Sequence, residues 1–213
     1  MKKQTLFFGL SVTLACLIFL SGCTGQNNTS QPETLQTILE KATVLKSVYY
    51  ELDVANIIDD TVRLATSMKI WQQTPNLKEE VDSTSGNITI TQIIVKRPEG
   101  IYRYDDTLQS YELDPAVIIP QPTIAELVKD LLNNQTLTIE GTENISGKIT
   151  TIVQYTPIQS GNTTTMKIWI WNEKGVPLKA TSITKSKEII EIKEYKYHNY
   201  SFDDIPEGIF NII

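Results

Sequence analysis

The chain has 213 residues and a formal charge of −6, with 25 Asp and Glu against 19 Lys and Arg. An acidic surface excludes the electrostatic grip on phosphates that nucleic-acid binding needs, and a broad attraction to anionic lipid heads. One histidine and two cysteines leave little material for catalysis or for a disulfide framework.

The first residues read as an export signal. Lys2 and Lys3 form a positive start, and residues 5 to 20, "TLFFGLSVTLACLIFL", are mostly apolar but somewhat short for a membrane span. Leu20-Ser21-Gly22-Cys23 then has the pattern of a lipobox. Small residues at 21 and 22 suit the peptidase, and the Cys23 sulfur would take a diacylglyceryl group. Cleavage would remove residues 1–22 with Cys16, leaving Cys23 as the single cysteine, blocked by its lipid. The mature charge would be −6 − 2 = −8, since the removed segment holds two lysines and no acid. Lipid rather than a basic patch would then hold the protein at the membrane, outside the cytoplasm. Residues 23–32 carry the lipid and a polar, turn-rich tether. Residues 33–213 are long enough for one domain with its own core.

An amphipathic helix is expected from Pro32, with Leu35, Ile38, Leu39, Ala42 and Leu45 on one stripe. Alternating Val48, Tyr50, Leu52 and Val54 open a meander of strands. Its turns are "TPN" at 74–76, "SGN" at 85–87 and "PEG" at 98–100. A proline-marked crossing leads to a second helix, "TIAELVKDLLNN", with Thr123 and Glu126 spaced as a capping box. Its stripe would be Ile124, Leu127, Val128, Leu131 and Leu132. The last third is again strand-rich. In "EIIEIKEYKYHNY" the apolar parity changes between Ile192 and Tyr195, which suggests a bulge near Lys193-Glu194. The sum is α+β: a curled antiparallel β-sheet, an unclosed half-barrel, with helices covering the concave face.

Catalytic motifs are missing: no nucleophile elbow, phosphate loop or zinc-binding helix pattern is present. His198, near a strand end, fits a surface residue better than a base. Asp59-Asp60, Asp105-Asp106 and Asp203-Asp204 fit turns better than a metal site. No cofactor, metal or enzymatic activity is expected. N-x-S/T triplets begin at Asn27, Asn28, Asn87, Asn134, Asn144, Asn162 and Asn199, mostly in expected turns or strand ends. They serve as glycan acceptors only in a host that glycosylates them.

The apolar residues carry more. "KIWIWN" sets Trp169 and Trp171 on one strand face and Met166, Ile168 and Ile170 on the other. A strand apolar on both faces needs cover on both, or it lines a ligand space. Several segments, in order, resemble the LolA/LolB/LppX-like superfamily of lipoprotein carriers. They are "KIWQQTPNL" at 69–77, "IIVKRPEGIYRYDD" at 93–106, "IEGTENISGK" at 139–148, "IWIWNEKGVPLKA" at 168–180 and "FDDIPEGIF" at 202–210. The resemblance implies a half-barrel around apolar space, a helical lid, and binding of acyl chains or another hydrophobic ligand. Leu52, Val54, Trp71, Leu77, Tyr102, Tyr104, Leu127, Leu131, Trp169 and Trp171 are the candidates to line that space. Two features depart from the soluble carriers. Thr74 stands where they have a lid-locking arginine, and the lipobox ties this chain down. A tethered lipid binder or acceptor, with another envelope lipoprotein or a transporter as partner, fits better than a shuttle. The competing expectation is a non-catalytic surface or sensor module that uses the same fold for protein contact. A roomy concave side favours the first, and continuous helix packing favours the second.

Overall fold

In a computed structural model, the structure describes residues 33–212 apart from 118, 120, 157–162 and 187–188. Cys23, the tether, Asn27, Asn28 and Asn162 lie outside the described residues. Helix α1 (Leu35–Thr43) precedes six strands: β1 (Val48–Ile58), β2 (Thr61–Gln73), β3 (Asn76–Ser85), β4 (Ile88–Arg97), β5 (Gly100–Asp105) and β6 (Ser110–Leu113). Helix α2 (Ile124–Asn133) follows, then β7 (Thr138–Ile145), β8 (Lys148–Tyr155), β9 (Thr163–Trp171), β10 (Pro177–Lys185) and β11 (Ile190–Ser201). All the strands join one sheet in the order β6-β5-β4-β3-β2-β1-β11-β10-β9-β8-β7. Every neighbour pair is antiparallel. The sheet is unclosed, because the edge strands β6 and β7 do not pair, and the segment carrying α2 links them.

Local chemistry explains the elements. Thr34 caps α1 by accepting from the Thr37 backbone N–H. The helix therefore starts after Glu33, and it stops at Thr43, so Leu45 lies beyond it instead of on its stripe. The capping box of α2 forms as its spacing predicts: Thr123 Oγ1 accepts from the Glu126 N–H, and the Glu126 carboxylate accepts from the Thr123 N–H at 2.8 Å. Leu132 falls off the packed face of that helix and is 43% exposed. The β1–β2 hairpin turns on Asp59 and Asp60, both with positive φ, the backbone that matches the twist of two flanking strands.

The bulge in β11 is not near Lys193-Glu194. Register runs unbroken there, and Ile192 sits between Ile57 and Ile183 in an apolar row on the outer face. Tyr195 and Tyr197 face inward, opposite Val54 and Leu52. The shift comes later, where Asn199 and Tyr200 together oppose Tyr50 and Asn199 has φ of 52°. It turns Tyr200 inward, where its ring stacks on Tyr50 with centroids 5.4 Å apart.

The core lies between the two helices and the inner sheet face. Ile38, Leu39 and Ala42 from α1, and Ile124, Val128 and Leu131 from α2, join Tyr50, Leu52, Met68, Ile70, Val153, Ile168 and Ile170 in one buried cluster. Gly175, in the β9–β10 turn at φ 72°, lets α1 press close: a Cβ there would collide with the Ile38 carbonyl oxygen.

Candidate functional site on the concave face

The register lays the inner face out in cross-strand rows over β1 to β4. Val48, Gln72, Leu77 and Lys96 form the row nearest the β2–β3 turn. Next come Tyr50, Ile70, Glu79 and Ile94, then Leu52, Met68, Val81 and Gln92. Val54, Thr66, Ser83 and Ile90 follow, and Asn56, Leu64, Ser85 and Ile88 end the series at the hairpin tips. The helices seal only part of this face. Tyr50, Ile70, Leu52 and Met68 are at most 2% exposed, whereas Leu64 is 38%, Ile90 65% and Ile88 68% exposed. The face therefore runs from a dry, helix-covered half to an open half where Leu64, Ile88 and Ile90 alternate with Asn56, Thr66, Ser83 and Ser85. Val54, Tyr155 and Tyr195, half-buried, lie at the transition and pack against the core.

The open half continues onto the rim. Val62, Ile189 and Ile190, also exposed, sit by the β1–β2 and β10–β11 turns, at the same end of the sheet as Ile88. Solvated aliphatics gathered at one end of a protein mark a contact for something apolar.

At the opposite end a cavity of about 260 Å³ opens between the end of α1, the start of α2 and the first row. Val48, Gln72, Leu77 and Lys96 are its floor, and Leu45, Pro75 and Ile124 are among its walls. Gln72 organises the polar groups behind it. Its Nε2 donates to the Tyr50 hydroxyl at 3.2 Å, and its Oε1 accepts from the Ile124 N–H at 3.1 Å, which fastens the first turn of α2 to β2. Burial raises the pKa of Tyr50, Tyr197 and Tyr200 well above the ordinary phenol value, so these rings present neutral hydroxyls.

Glu79 is the unexpected member of the second row. Its carboxyl is 1% exposed, between Ile70 on β2 and Ile94 on β4, and its Oε2 has no hydrogen-bond partner. Burial alone pushes it up to about 7. Sequence reasoning passed over Glu79, Gln72 and Tyr50. The signal was present in "LKEEVDST", where Glu79 shares parity with Leu77 and Val81.

The candidate lining residues divide between two faces. Leu52, Val54 and Leu77 stand on the inner face, and Leu127 and Leu131 of α2 belong to the core there. Trp71, Tyr102 and Trp169 are on the outer face, as their pairing with Tyr49, Val95 and Lys179 requires. Trp169 is satisfied there: its indole N–H donates to Glu143 Oε2 at 2.6 Å, and Lys179 Nζ lies 4.6 Å from its ring. Trp171 ends β9 against Phe202 and Lys148. Tyr104 packs edge-on to Tyr111, far out at the β5–β6 edge. Trp171 is partly buried against the core cluster that holds Leu52, whereas Trp71, Tyr102, Tyr104 and Trp169 do not join it.

His198 Nε2 is 3.0 Å from Asp53 Oδ2, and the Ser67 hydroxyl donates to the other oxygen of Asp53. The aspartate thus lies between serine and histidine, an order that cannot pass a serine proton to the imidazole. Among the described residues no set of three His, Cys, Asp or Glu side chains could hold a metal ion. Asp105 accepts from the Thr107 and Leu108 N–H groups, and that turn holds its carboxyl below the usual range. Of the sequons, Asn87 is exposed in the β3–β4 turn, Asn134 caps α2, Asn144 accepts from the Gly147 N–H, and Asn199 donates to Glu51. No described helix is long and apolar enough to cross a membrane.

No family model and no curated protein matches this chain. It is similar to solved structures. Lipoprotein LppX from Mycobacterium tuberculosis is 15% identical, with 84% of this chain and 98% of that one covered at a TM-score of 0.45. LprF from Mycobacterium bovis is 14% identical, covering 78% and 92% at 0.45. A LolA superfamily protein from Nitrosomonas europaea is 14% identical, covering 84% and 98% at 0.37.

Proposed function

We propose that the protein is an extracytoplasmic lipoprotein, anchored through Cys23, that binds an acyl lipid or a similar apolar molecule on the inner face of its half-barrel. It is a binder rather than a catalyst. The observation that carries this is the set of aliphatic side chains on the inner face, which leads from buried Leu52 through half-buried Val54 to solvated Leu64, Ile90 and Ile88, with the small polar Thr66, Ser83 and Ser85 between them. An acyl chain laid on the open half would cover those aliphatic side chains, each contributing about 1.5–3 kcal/mol when fully removed from water. In a host that glycosylates exported chains, Asn87, Asn144 and Asn199 are the exposed ones among the described acceptors.

The test is native mass spectrometry of the full chain purified from its own envelope, with extraction of non-covalent lipid. A stoichiometric acyl lipid, distinct from the group on Cys23, is the expected result. A lipid-free protein that also fails to take up a pyrene-labelled diacylglycerol would reject the reading.

One observation favours protein contact instead: the helices pack tightly over the central rows, and the cavity beneath them is below the roughly 300–1,000 Å³ of ordinary ligand sites. Under that reading a photo-crosslinker at position 90 captures a polypeptide in intact envelopes and no lipid.

A further inference from the structure

We propose that Glu79 gates this same site: while its carboxyl is protonated α2 stays seated on the sheet, and when the carboxyl ionises α2 lifts and the covered rows open to ligand. The inference rests on the lipid-binding reading for what enters, though not for the motion itself.

The geometry supplies the reason. An ionised carboxylate at this depth needs a cation or water. From β2 and β4 it meets Ile70 and Ile94, and from β1 the neutral phenol of Tyr50. Lys96 is one row away on β4, over the cavity, and its charge acts on Glu126. From above, α2 turns Ile124, Val128 and Leu131 inward and leaves Glu126, Lys129 and Asp130 outside, and α1 contributes Ile38, Leu39 and Ala42 to the same core. Among the described residues no cation faces the carboxyl, so ionisation requires water.

One carboxyl oxygen, Oε2, is fully buried without a partner, so full hydration of the ionised group needs something to move. Strand β3 is hydrogen-bonded along its length to both β2 and β4, so the strand that carries Glu79 is fixed. Among the described residues, helix α2 is held to the sheet by apolar contact and by the Gln72–Ile124 bond. The described residues just before and after it, 121–123 and 134–137, belong to no helix or strand. Lifting it costs least, and it joins the second row to the cavity already open beside Gln72 and Leu77. Burial places the ionisation near neutral pH, with the carboxyl pushed up to about 7.

Hydrogen exchange of the full chain between pH 6 and pH 8, corrected for intrinsic exchange chemistry, tests this. For a group titrating midway, the open fraction of α2 rises about tenfold over that interval. Protection at Ile124–Asn133 should fall by that factor while protection in β3 holds, and Glu79→Gln should abolish the step. Should that variant not fold, Glu79→Met removes the charge by a different route and must give the same flat profile. Unchanged α2 protection in the wild type, or a step that survives both variants, overturns the gate. Uptake of pyrene-labelled diacylglycerol, which has no titrating group, is measured alongside. Opening without uptake at any pH keeps the gate and removes the lipid reading. Uptake that ignores pH over a static α2 keeps the lipid reading and removes the gate.

Discussion

Gln72→Met should destabilise the protein by about 2–4 kcal/mol, and α2 more than the rest. The substitution keeps the length and most of the volume of the side chain, so the core gains almost no cavity. It removes both bonds that Gln72 makes: the acceptor for the Ile124 N–H at 3.1 Å and the donor to Tyr50 at 3.2 Å. Both partners stay largely buried, Ile124 at 4% and Tyr50 at 2% exposure, and of the two only Ile124 borders the open cavity. A buried polar group left without its partner costs about 1–3 kcal/mol, and the Ile124 amide bears most of that because it is one of the free donors of a helix start. In a domain of this size each kcal/mol lowers the melting temperature by roughly 2–4 °C, which predicts a fall of about 4–16 °C. Differential scanning calorimetry reads it directly, and exchange mapping should show the loss centred on the first turn of α2. A fall under about 2 °C would mean that this side chain does not hold the helix down.

Three other outcomes follow from the same geometry. Gly175→Ala forces a Cβ onto the Ile38 carbonyl and strains a φ of 72°, so chemical denaturation should show a loss of at least about 1–3 kcal/mol; wild-type stability would contradict the close seating of α1. Leu64→Asp combined with Ile90→Asp leaves the folded core intact, since both side chains are exposed, yet should weaken uptake of labelled diacylglycerol by about tenfold or more, and unchanged affinity would move the ligand elsewhere. Stability should also depend on pH through Glu79. Its folded value is raised from 4.5 to about 7, so the folded state holds the proton more tightly than the unfolded chain. The contribution is therefore full below pH 4.5, is lost as pH rises to 7, and changes no further above it. At most about 3 kcal/mol is involved, and urea titrations of wild type and Glu79→Gln across pH 4.5 to 7 should diverge by a large part of it.

The architecture was legible because period-2 and period-3.6 patterns are local. "TIAELVKDLLNN" carried its cap, its stripe and its length in one window, and the hairpin turns were marked by Gly, Asn and Pro. The ligand face was less legible because an apolar residue on a strand says nothing about which face is covered. Trp169 and Trp71 looked like lining, but their parity puts them outside, under lysine side chains that are polar in sequence and cover an indole in space. Conversely, Leu64, Ile88 and Ile90 resembled ordinary strand residues. Their significance depends on how far two short helices reach across a long strand, which no local pattern encodes. The bulge at Asn199 was misplaced for a related reason: Ile192 has apolar partners on the outer face from β1 and β10, and that pairing is not visible in one strand.

The sheet order has a consequence for how the protein is made. The strands at the middle of the sheet, β1 and β11, are the first and the last strands to leave the ribosome. Each half, β1 to β6 and β7 to β11, can zip up as a run of local hairpins, but the seam between them waits for the final strand. Until then Leu52 and Val54 lie along an unpaired edge, while Tyr195 and Tyr197 have yet to arrive. Such an edge is open to aggregation through almost the whole of synthesis. Losing about a dozen residues around β11 would unstitch the domain down its centre, whereas a break in the loop between β6 and α2 would leave every strand pair in place.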